Sequence, residues 1–266
     1  DNCSAVPRAV FVPSFKDLLC GRQLAETAQA MSREYGFERE QQDRWSFISH
    51  SRAGSAAAKG YLKEEITPVK VPGPKNADGS EGAPVEISAD DAIRGDATLD
   101  YFTSAKVLFE DGCQATAANT HAVVDGGAAV VLASPQGAKK AGTAPRGRLV
   151  GSTVVGVEPE KMAFASVKAI RELYQKLGWT QESVDLFEIN ETFASQVIVC
   201  LKELGLPEEK VNPNGGGLAI GHPFGASGPR LVDSLLRELK RRGLKRGIAA
   251  VCAGGGTGVA LGVERL

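Results

Sequence analysis

The chain has 266 residues, 42% of them hydrophobic, and a formal net charge of −1 from 31 Lys and Arg against 32 Asp and Glu. This hydrophobic content is enough for one large core or two ordinary ones, which excludes a disulfide-stapled miniprotein and a disordered chain. The near-zero charge provides no field that would draw the protein to nucleic acid or to an anionic membrane, so we expect neither partner.

Apolar patterning and cysteine usage predict a soluble intracellular protein. We expect a cytoplasmic location in preference to an organelle. The longest apolar stretches, such as 128–133, are far too short to span a bilayer, and the first residues lack the basic and apolar regions of a signal peptide. The five cysteines are scattered without a C-x-x-C pair, so we expect no disulfide framework and no structural metal site.

Two amphipathic helices are predicted near the start of the chain, over 19–35 and 38–59. In the second, apolar residues recur at helical spacing opposite a charged face, and Gly60 follows as a C-terminal stop. Alternation over 66–71 predicts a short strand. The Gly- and Pro-rich stretch 72–84 predicts a surface loop, the most flexible segment of the chain.

From residue 115 onward, strands and helices alternate, which predicts an α/β layer structure. The glycine-led apolar run 126–132 predicts a strand of the buried kind. Further strands are predicted over 148–157, 184–189, 248–253 and 259–264, and helices over 166–177, 191–204 and 226–242. The stretches 125–132 and 255–261 are loosely alike, as if one supersecondary unit occurred twice.

Polar clusters lie where predicted strands end or helices begin, the place where open α/β sheets bind ligands. In the first, 188–193, the simplest interpretation makes Asn190 a helix N-cap and Glu191 a favourable first-turn charge. In the second, the glycine-dense 212–228, His222 lies between a glycine and a proline. Its backbone is therefore restrained, and its small neighbours leave the imidazole open to a ligand.

The third cluster is Cys252 followed by three glycines at 254–256. A cysteine at the end of an apolar strand is usually inert core. The glycines change this expectation because they allow backbone N–H groups to point at a ligand oxygen, as an oxyanion site requires. A thiol with a pKa near ~8.5 becomes a useful base or nucleophile when a nearby histidine or helix dipole lowers that value.

The sequence predicts structural rather than catalytic roles for His50, His121 and Cys200. His50 lies in a charged helix and His121 in a turn, and neither has a partner in the sequence. Cys200 lies in an apolar helix stripe and is predicted to be buried. The basic run 237–246 is typical of a solvated helix C-terminus.

Three motifs, NETF at 190–193, GLAIGHP at 217–223 and CAGGGTG at 252–258, resemble in this order the C-terminal signatures of the thiolase family. Upstream, 116–129 is similar to the last strand of the family's N-terminal domain, and 40–66 to its lid. The resemblance covers nearly the whole chain.

The resemblance implies an α/β fold in which layers stack α-β-α-β-α from two similar halves. Residues 1–112 would be a remnant of the N-terminal domain with the lid, 113–147 its last strand region, and 148–266 the C-terminal domain. Most of the first half has no counterpart here, so we expect an incomplete first half. The strand around 128–132 would then lack neighbours and expose apolar surface.

The resemblance also implies the exchange of acyl groups between coenzyme A thioesters by making or cleaving a carbon–carbon bond. Cys252 would be the acid/base that handles the α-proton of acetyl-CoA. His222 would activate a nucleophilic cysteine and help hold a thioester oxygen, and Asn190 would hold a water in a second oxyanion site. An enolate formed from a thioester needs such a base at its α-carbon and fixed donors at its oxygen.

Three further residues are implied in substrate binding. Phe193 would line the acyl and pantetheine tunnel, Ser166 would contact the pantetheine, and Gly254 would contribute to binding of the thioester. CoA and its thioesters would be substrates, with no permanently bound cofactor. The expected assembly is a homodimer or a dimer of dimers.

The sequence departs from the family pattern in three places. The family's nucleophilic cysteine, in an Asn-x-x-Cys context, has no counterpart, since Cys3 resembles the stretch just downstream of it. The segment 157–164 lacks the usual Gly-Pro turn before Ser166, and Thr192 stands where alanine is usual.

Two other functions are considered. One is a noncatalytic CoA-binding or assembly subunit whose partner chain supplies the missing half and the nucleophile. The other makes Cys252 and His222 a self-contained acyl hydrolase. It ranks last, because a thiolate buried at a strand end suits proton transfer better than attack.

Overall fold

The computed structural model describes residues 16–108 and 112–266, so Cys3 lies outside the described part. Helices α1 (Leu24–Tyr35) and α2 (Arg39–Ala58) come first, and each begins with a capping box. The first predicted helix begins five residues later than expected. The reason is a turn before it, in which Gly21 N donates to Asp17 O at 2.8 Å. No helix in the described ranges combines the length and apolar character needed to cross a membrane.

A hairpin follows, formed by antiparallel strands β1 (Val69–Gly73) and β2 (Gly82–Ile87). The predicted strand at 66–71 is therefore present in part, but the prediction of a loop over 72–84 is wrong at both ends, since β1 extends to Gly73 and β2 begins at Gly82. Pro84 argued against a strand at this position, because proline lacks the backbone N–H that a strand donates to its neighbour. The hairpin accommodates it at a shift of register in the opposing part of β1.

The strand predicted over 126–132 is wrong. Residues 121–134 have no regular secondary structure, and no partner strand lies beside them in the described part of the chain. Val131 is 91% exposed and Leu132 75% exposed, which confirms the expected apolar surface. An apolar run forms a stable strand only where neighbours pair its backbone groups.

A four-stranded sheet forms the centre of the C-terminal part. Its strands are β3 (Gly147–Gly156), β4 (Leu186–Ile189), β5 (Arg246–Ala253) and β6 (Thr257–Arg265). They lie in the order β3-β6-β5-β4, with β4 and β5 parallel and the other pairs antiparallel. The sequence placed all four within two residues of their observed ends.

Helices cover both faces of this sheet. The other helices in the described residues are α3 (Leu99–Thr103), α4 (Pro135–Ala141), α5 (Met162–Leu177), α6 (Ala194–Leu204), α7 (Gly217–Ile220) and α8 (Ser227–Arg241). Helices α5 and α6 share a core with Phe187, Ile189 and Ile248. Helix α8 packs on the opposite face against Leu186 and Ala249. The result is a helix–sheet–helix sandwich, as the alternation predicted.

One glycine lets α5 approach the sheet closely. Gly258 of β6 pairs with Cys252 of β5, and a Cβ at Gly258 would collide with the carbonyl of Ala165. The next residue along α5 is Ser166, which is fully buried. The close approach therefore brings a hydroxyl of the helix to the carboxyl end of β5.

Candidate active site

Cys252 lies at the carboxyl end of β5 and is 5% exposed. Its Sγ is 3.8 Å from Thr192 Oγ1, within hydrogen-bond distance for sulfur. Burial raises the pKa of the Cys252 thiol, and the hydroxyls of Thr192 and Ser166 oppose that effect. The Ser166 contact is the weaker, because its Oγ has no well-aligned hydrogen bond. The thiol is therefore protonated at neutral pH, with two hydroxyls ready to stabilise a thiolate.

Asn190 lies in the loop between β4 and α6 and is fully buried. Its interpretation as an N-cap is wrong, because α6 begins at Ala194 and Phe193 is the capping residue. Asn190 N donates to Ala250 O at 2.9 Å, and its Nδ2 donates to Thr192 Oγ1 at 3.2 Å. The Thr192 hydroxyl thus bridges the Asn190 amide and the Cys252 thiol, while Asn190 Oδ1 is buried without a partner.

Glu191 precedes α6, which begins at Ala194, so the interpretation of Glu191 as a first-turn charge of that helix is wrong. Its side chain instead joins several segments of the chain. Its fully buried carboxylate accepts four hydrogen bonds. The donors are Trp45 Nε1 (3.1 Å), Ser49 Oγ (2.6 Å), Asn212 Nδ2 (2.8 Å) and Leu218 N (3.1 Å). The carboxylate therefore fastens α2 to the loop that leads to His222.

His222 follows α7 and is held by its Nδ1, which is 2.6 Å from Ser227 Oγ. The Ser227 hydroxyl also lies 3.3 Å from the carbonyl of Pro223, an obligate acceptor. The hydroxyl proton therefore points to Pro223 O, and Ser227 Oγ accepts a hydrogen bond from the Nδ1–H of His222. Burial and then the nearby Arg230 guanidinium lower the pKa of His222 to about 4, so the ring is neutral at physiological pH.

This tautomer leaves the His222 Nε2 lone pair free. A free lone pair on a neutral ring accepts a proton from a thiol, as nucleophile activation requires. Once Nε2 is protonated, it becomes a donor to a thioester oxygen. The same nitrogen therefore supports both roles that the resemblance implies for His222.

His121 is a residue of the site that sequence reasoning missed. Its ring stacks on that of His222, with centroids 4.6 Å apart and planes inclined by 16°. The His121 ring is also 6.5 Å from that of Phe193. It thereby links the His222 loop to the cluster that contains Phe193 and Cys252. The only signal in the sequence was its position two residues after Asn119, inside a segment that resembles the family.

The glycine turn after Cys252 offers a backbone donor to an anionic oxygen. Gly255 adopts a φ of 77°, which favours glycine, and its N–H donates to Asp17 Oδ2 at 2.6 Å. Burial raises the pKa of Asp17, but backbone donors, with Gly255 first, outweigh burial and hold it below its ordinary value. Gly254, one residue earlier, is exposed. A backbone N–H of this turn therefore donates to a carboxylate oxygen of the chain itself, and its role as an oxyanion-binding turn stays a prediction.

Among the described residues, His50, Cys20, Cys113 and Cys200 have no proposed catalytic role, although Cys113 packs against the cluster that contains Cys252. His50 Nδ1 accepts from Arg94 N at 3.0 Å, in keeping with a structural role. Cys200 is fully buried as predicted, and burial raises the pKa of its thiol. Cys20 and Cys113 are half-buried. Within the described ranges, no cluster of three His, Cys, Asp or Glu residues is placed to hold a metal ion.

A cavity of about 580 Å³ lies beside the His222 loop, between α8 and residues 124–129. Glu188 lines it. Its carboxyl oxygens make no hydrogen bond within the described residues, and Arg230 Nη1 forms a long ion pair with one of them at 4.0 Å. Burial raises the pKa of Glu188 to about 8 against the opposing effect of Arg230. Unpaired buried groups of this kind are costly, and a neighbouring element would relieve them.

Comparisons with known proteins identify the family. Residues 6–136 match the family model of the thiolase N-terminal domain, and residues 143–265 match that of the thiolase C-terminal domain. An acetyl-CoA acetyltransferase of Chromobacterium violaceum is 44% identical over 239 residues, which are 90% of this chain and 59% of the relative.

Two solved structures share the fold. The Bacillus anthracis acetyl-CoA acetyltransferase superposes on this chain with a TM-score of 0.89 at 40% identity. The superposition covers 95% of this chain and 62% of the acetyltransferase. The human mitochondrial 3-ketoacyl-CoA thiolase in complex with CoA gives 0.85 at 30% identity, covering 96% and 62%. The layered thiolase-type α/β fold is thereby confirmed.

The chain belongs to the thiolase family. It spans about three fifths of the length of these relatives, 59% and 62% in the cases above.

Proposed function

We propose that the protein is a thiolase-type acyltransferase that makes or cleaves a carbon–carbon bond between acyl-CoA thioesters. The observation that supports this most directly is the bridge from the Asn190 amide through Thr192 Oγ1 to the Cys252 thiol. It places a proton-transfer group next to a polar amide at the end of a buried strand. The relatives named above are acyltransferases of CoA thioesters, and one of them was solved with CoA bound.

In the condensing direction, a nucleophilic cysteine thiolate attacks an acyl-CoA, forms a thioester and expels the CoA thiolate. His222 Nε2 takes the thiol proton of that cysteine. The Cys252 thiol gives its proton to the departing CoA thiolate, and the Cys252 thiolate so formed removes the α-proton of acetyl-CoA. The resulting enolate carbon attacks the acyl carbon. The new carbon–carbon bond forms as the bond to the nucleophilic sulfur breaks, and His222 returns its proton to that sulfur. Protonation of an enolate carbon by Cys252 serves the reverse, cleaving direction, for which a thiol with a raised pKa is suited.

A noncatalytic CoA-binding or assembly subunit is the second candidate. Two observations favour it: the exposed apolar pair Val131 and Leu132, and the unpaired groups that line the cavity beside Glu188. Both would be covered by a further protein element. The intact mass of the native protein and of any chain that co-purifies with it distinguishes the two candidates.

We also propose a homodimeric or dimer-of-dimers assembly and a cytoplasmic location. Exposed apolar side chains support association. They are those of Val131, Leu132 and Val154, the last on the edge strand β3. Sedimentation velocity at several protein concentrations measures the assembly.

Fractionation of cells that express the protein measures its location.

The chain alone should form no covalent acyl-enzyme with acetyl-CoA. Cys252 and Cys200 are buried with raised pKa values, and Cys20 and Cys113 are half-buried. Cys3 resembles the stretch just downstream of the family's nucleophile, not the nucleophile itself. Intact-mass spectrometry after incubation with acetyl-CoA provides the test. A stoichiometric acetyl adduct that maps to one cysteine would show that the chain carries its own nucleophile.

Replacing His222 by Ala or Asn should impair both acylation and carbon–carbon bond formation. One imidazole nitrogen serves in each step, and each role is worth on the order of 10²-fold or more. Rates of both half-reactions in the full-length protein provide the measurement, and His50→Asn is the matched control. Acylation at the parent rate in the His222 variants would leave this histidine with a structural role alone.

A further inference from the structure

His121 and Ala122 are hydrogen-bonded to both loops that carry the proposed catalytic residues. On one side, His121 N donates to Thr192 O at 3.3 Å. On the other side, Ala122 O accepts from His222 N at 2.9 Å. The backbone at His121 is therefore fixed relative to both loops, so its side chain has a defined place between them.

Within the described ranges 16–108 and 112–266, the side chain of His121 makes no hydrogen bond that would explain this placement. Its Nδ1 is buried without a partner, which is costly for a polar atom. What its ring does contact is the ring of His222, in a nearly parallel stack. Phe224 reaches the His222 ring as well, at 5.3 Å and an inclination of 59°. The His222 imidazole is thus enclosed by aromatic surfaces, and His121 supplies the parallel one.

We propose that His121 is a positioning residue for His222. Its stacked ring holds the His222 imidazole in the plane that keeps Nδ1 on Ser227, and it excludes water from the ring face. The consequence for catalysis rests on the proposed function of His222, but the positioning itself is a property of the folded chain.

The charges around the pair are consistent with two neutral rings. Burial and then the proximity of His222 lower the pKa of His121 to about 3. The guanidinium of Arg230 on α8 disfavours a charged His222, and Glu188 lies 4.0 Å from that guanidinium. Because two stacked imidazolium ions would repel each other, the pair carries at most one positive charge until the medium is strongly acidic.

Nuclear magnetic resonance of histidine-labelled protein tests the proposal, because the chain contains only 3 histidines. In the parent protein, the ¹⁵N shifts of His222 should report a protonated Nδ1 and a free Nε2, with titration near a pKa of about 4. In His121→Ala, water reaches the ring, so the pKa of His222 should rise by about one unit or more toward its ordinary value, and the tautomers should mix.

His121→Phe and Thr120→Val are the matched controls. Phenylalanine restores a flat ring without a titratable group, so His222 should keep its tautomer and titrate within about half a unit of the parent. Thr120→Val alters the adjacent residue but not the stack, and should leave His222 unchanged. If His121→Ala does not fold, His121→Ser provides the same comparison.

Equal titration of His222 in the parent protein and in the Ala or Ser variant would overturn the proposal. So would a Phe variant that behaves like the Ala variant. These outcomes are independent of turnover: a His222 without a catalytic role would be revealed by unimpaired acylation in His222→Ala, whatever the resonance data show. The two failures are therefore distinguishable.

Discussion

Cys252→Ala should abolish carbon–carbon bond formation while it leaves acyl transfer onto the nucleophile partly intact. The reason is that Cys252 acts only on the α-proton, and loss of a positioned acid/base lowers a rate by on the order of 10²–10⁴-fold. The measurement compares acetoacetyl-CoA formation with exchange of CoA between thioesters. It uses the full-length protein, or its complex with any chain that supplies the nucleophile.

Cys200→Ala is the matched control for this substitution. Cys200 is as deeply buried as Cys252, and its Sγ accepts only a weak hydrogen bond from Gln196 at 3.6 Å. Both variants lose one buried sulfur, so they share the packing cost but not the chemistry. Normal condensation in Cys252→Ala, or equal loss in the two variants, would contradict the assignment of Cys252 as the acid/base.

Glu191→Ala should lower the free energy of unfolding by roughly 3–5 kcal/mol, because it leaves four buried donors without their shared acceptor. The free energy of unfolding of Glu191→Gln should lie between those of the parent protein and Glu191→Ala. The amide keeps one acceptor oxygen but turns its NH₂ donor toward the backbone N–H of Leu218, which is also a donor and cannot accept. Urea denaturation followed by circular dichroism measures both values.

The control for Glu191 is Glu208→Ala. Glu208 also joins α2 to the C-terminal part, through an ion pair with Arg44 at 2.8 Å, but both side chains are more than a third exposed. Such a surface pair contributes at most about 1 kcal/mol. If Glu191→Ala costs no more than Glu208→Ala, the four hydrogen bonds do not fasten α2 to the His222 loop.

The sheet and its helices were predictable because their signals are local. The period of apolar residues marks a strand or helix from within a few positions, and β3 to β6 appeared where the pattern placed them. The strand at 126–132 failed for the opposite reason. Its apolar residues are those of a buried strand, but pairing requires partners elsewhere in space, and the described residues provide none beside it.

The residues of the candidate site could be named from the sequence, but their connections could not. Cys252 and His222 stood out because glycines lie beside them, whereas the role of Asn190 was implied only by the resemblance. The partners of Glu191 lie 142 and 146 positions away at Ser49 and Trp45, so no local pattern could indicate them. His121 was missed for the same reason, since its stacking partner belongs to a loop that is remote in the chain.

Gly258 has a further consequence for the chemistry at Cys252. Because the Ala165 carbonyl occupies the place of a side chain at Gly258, the spacing between helix and sheet at the sulfur is set by a missing methyl group. That spacing decides how near the Ser166 hydroxyl comes to the thiol, and so how readily the thiol ionises. The acidity of the Cys252 thiol therefore depends partly on the packing of the backbone. Gly258, which has no functional group of its own, sets the distance between α5 and the sheet on which that acidity depends.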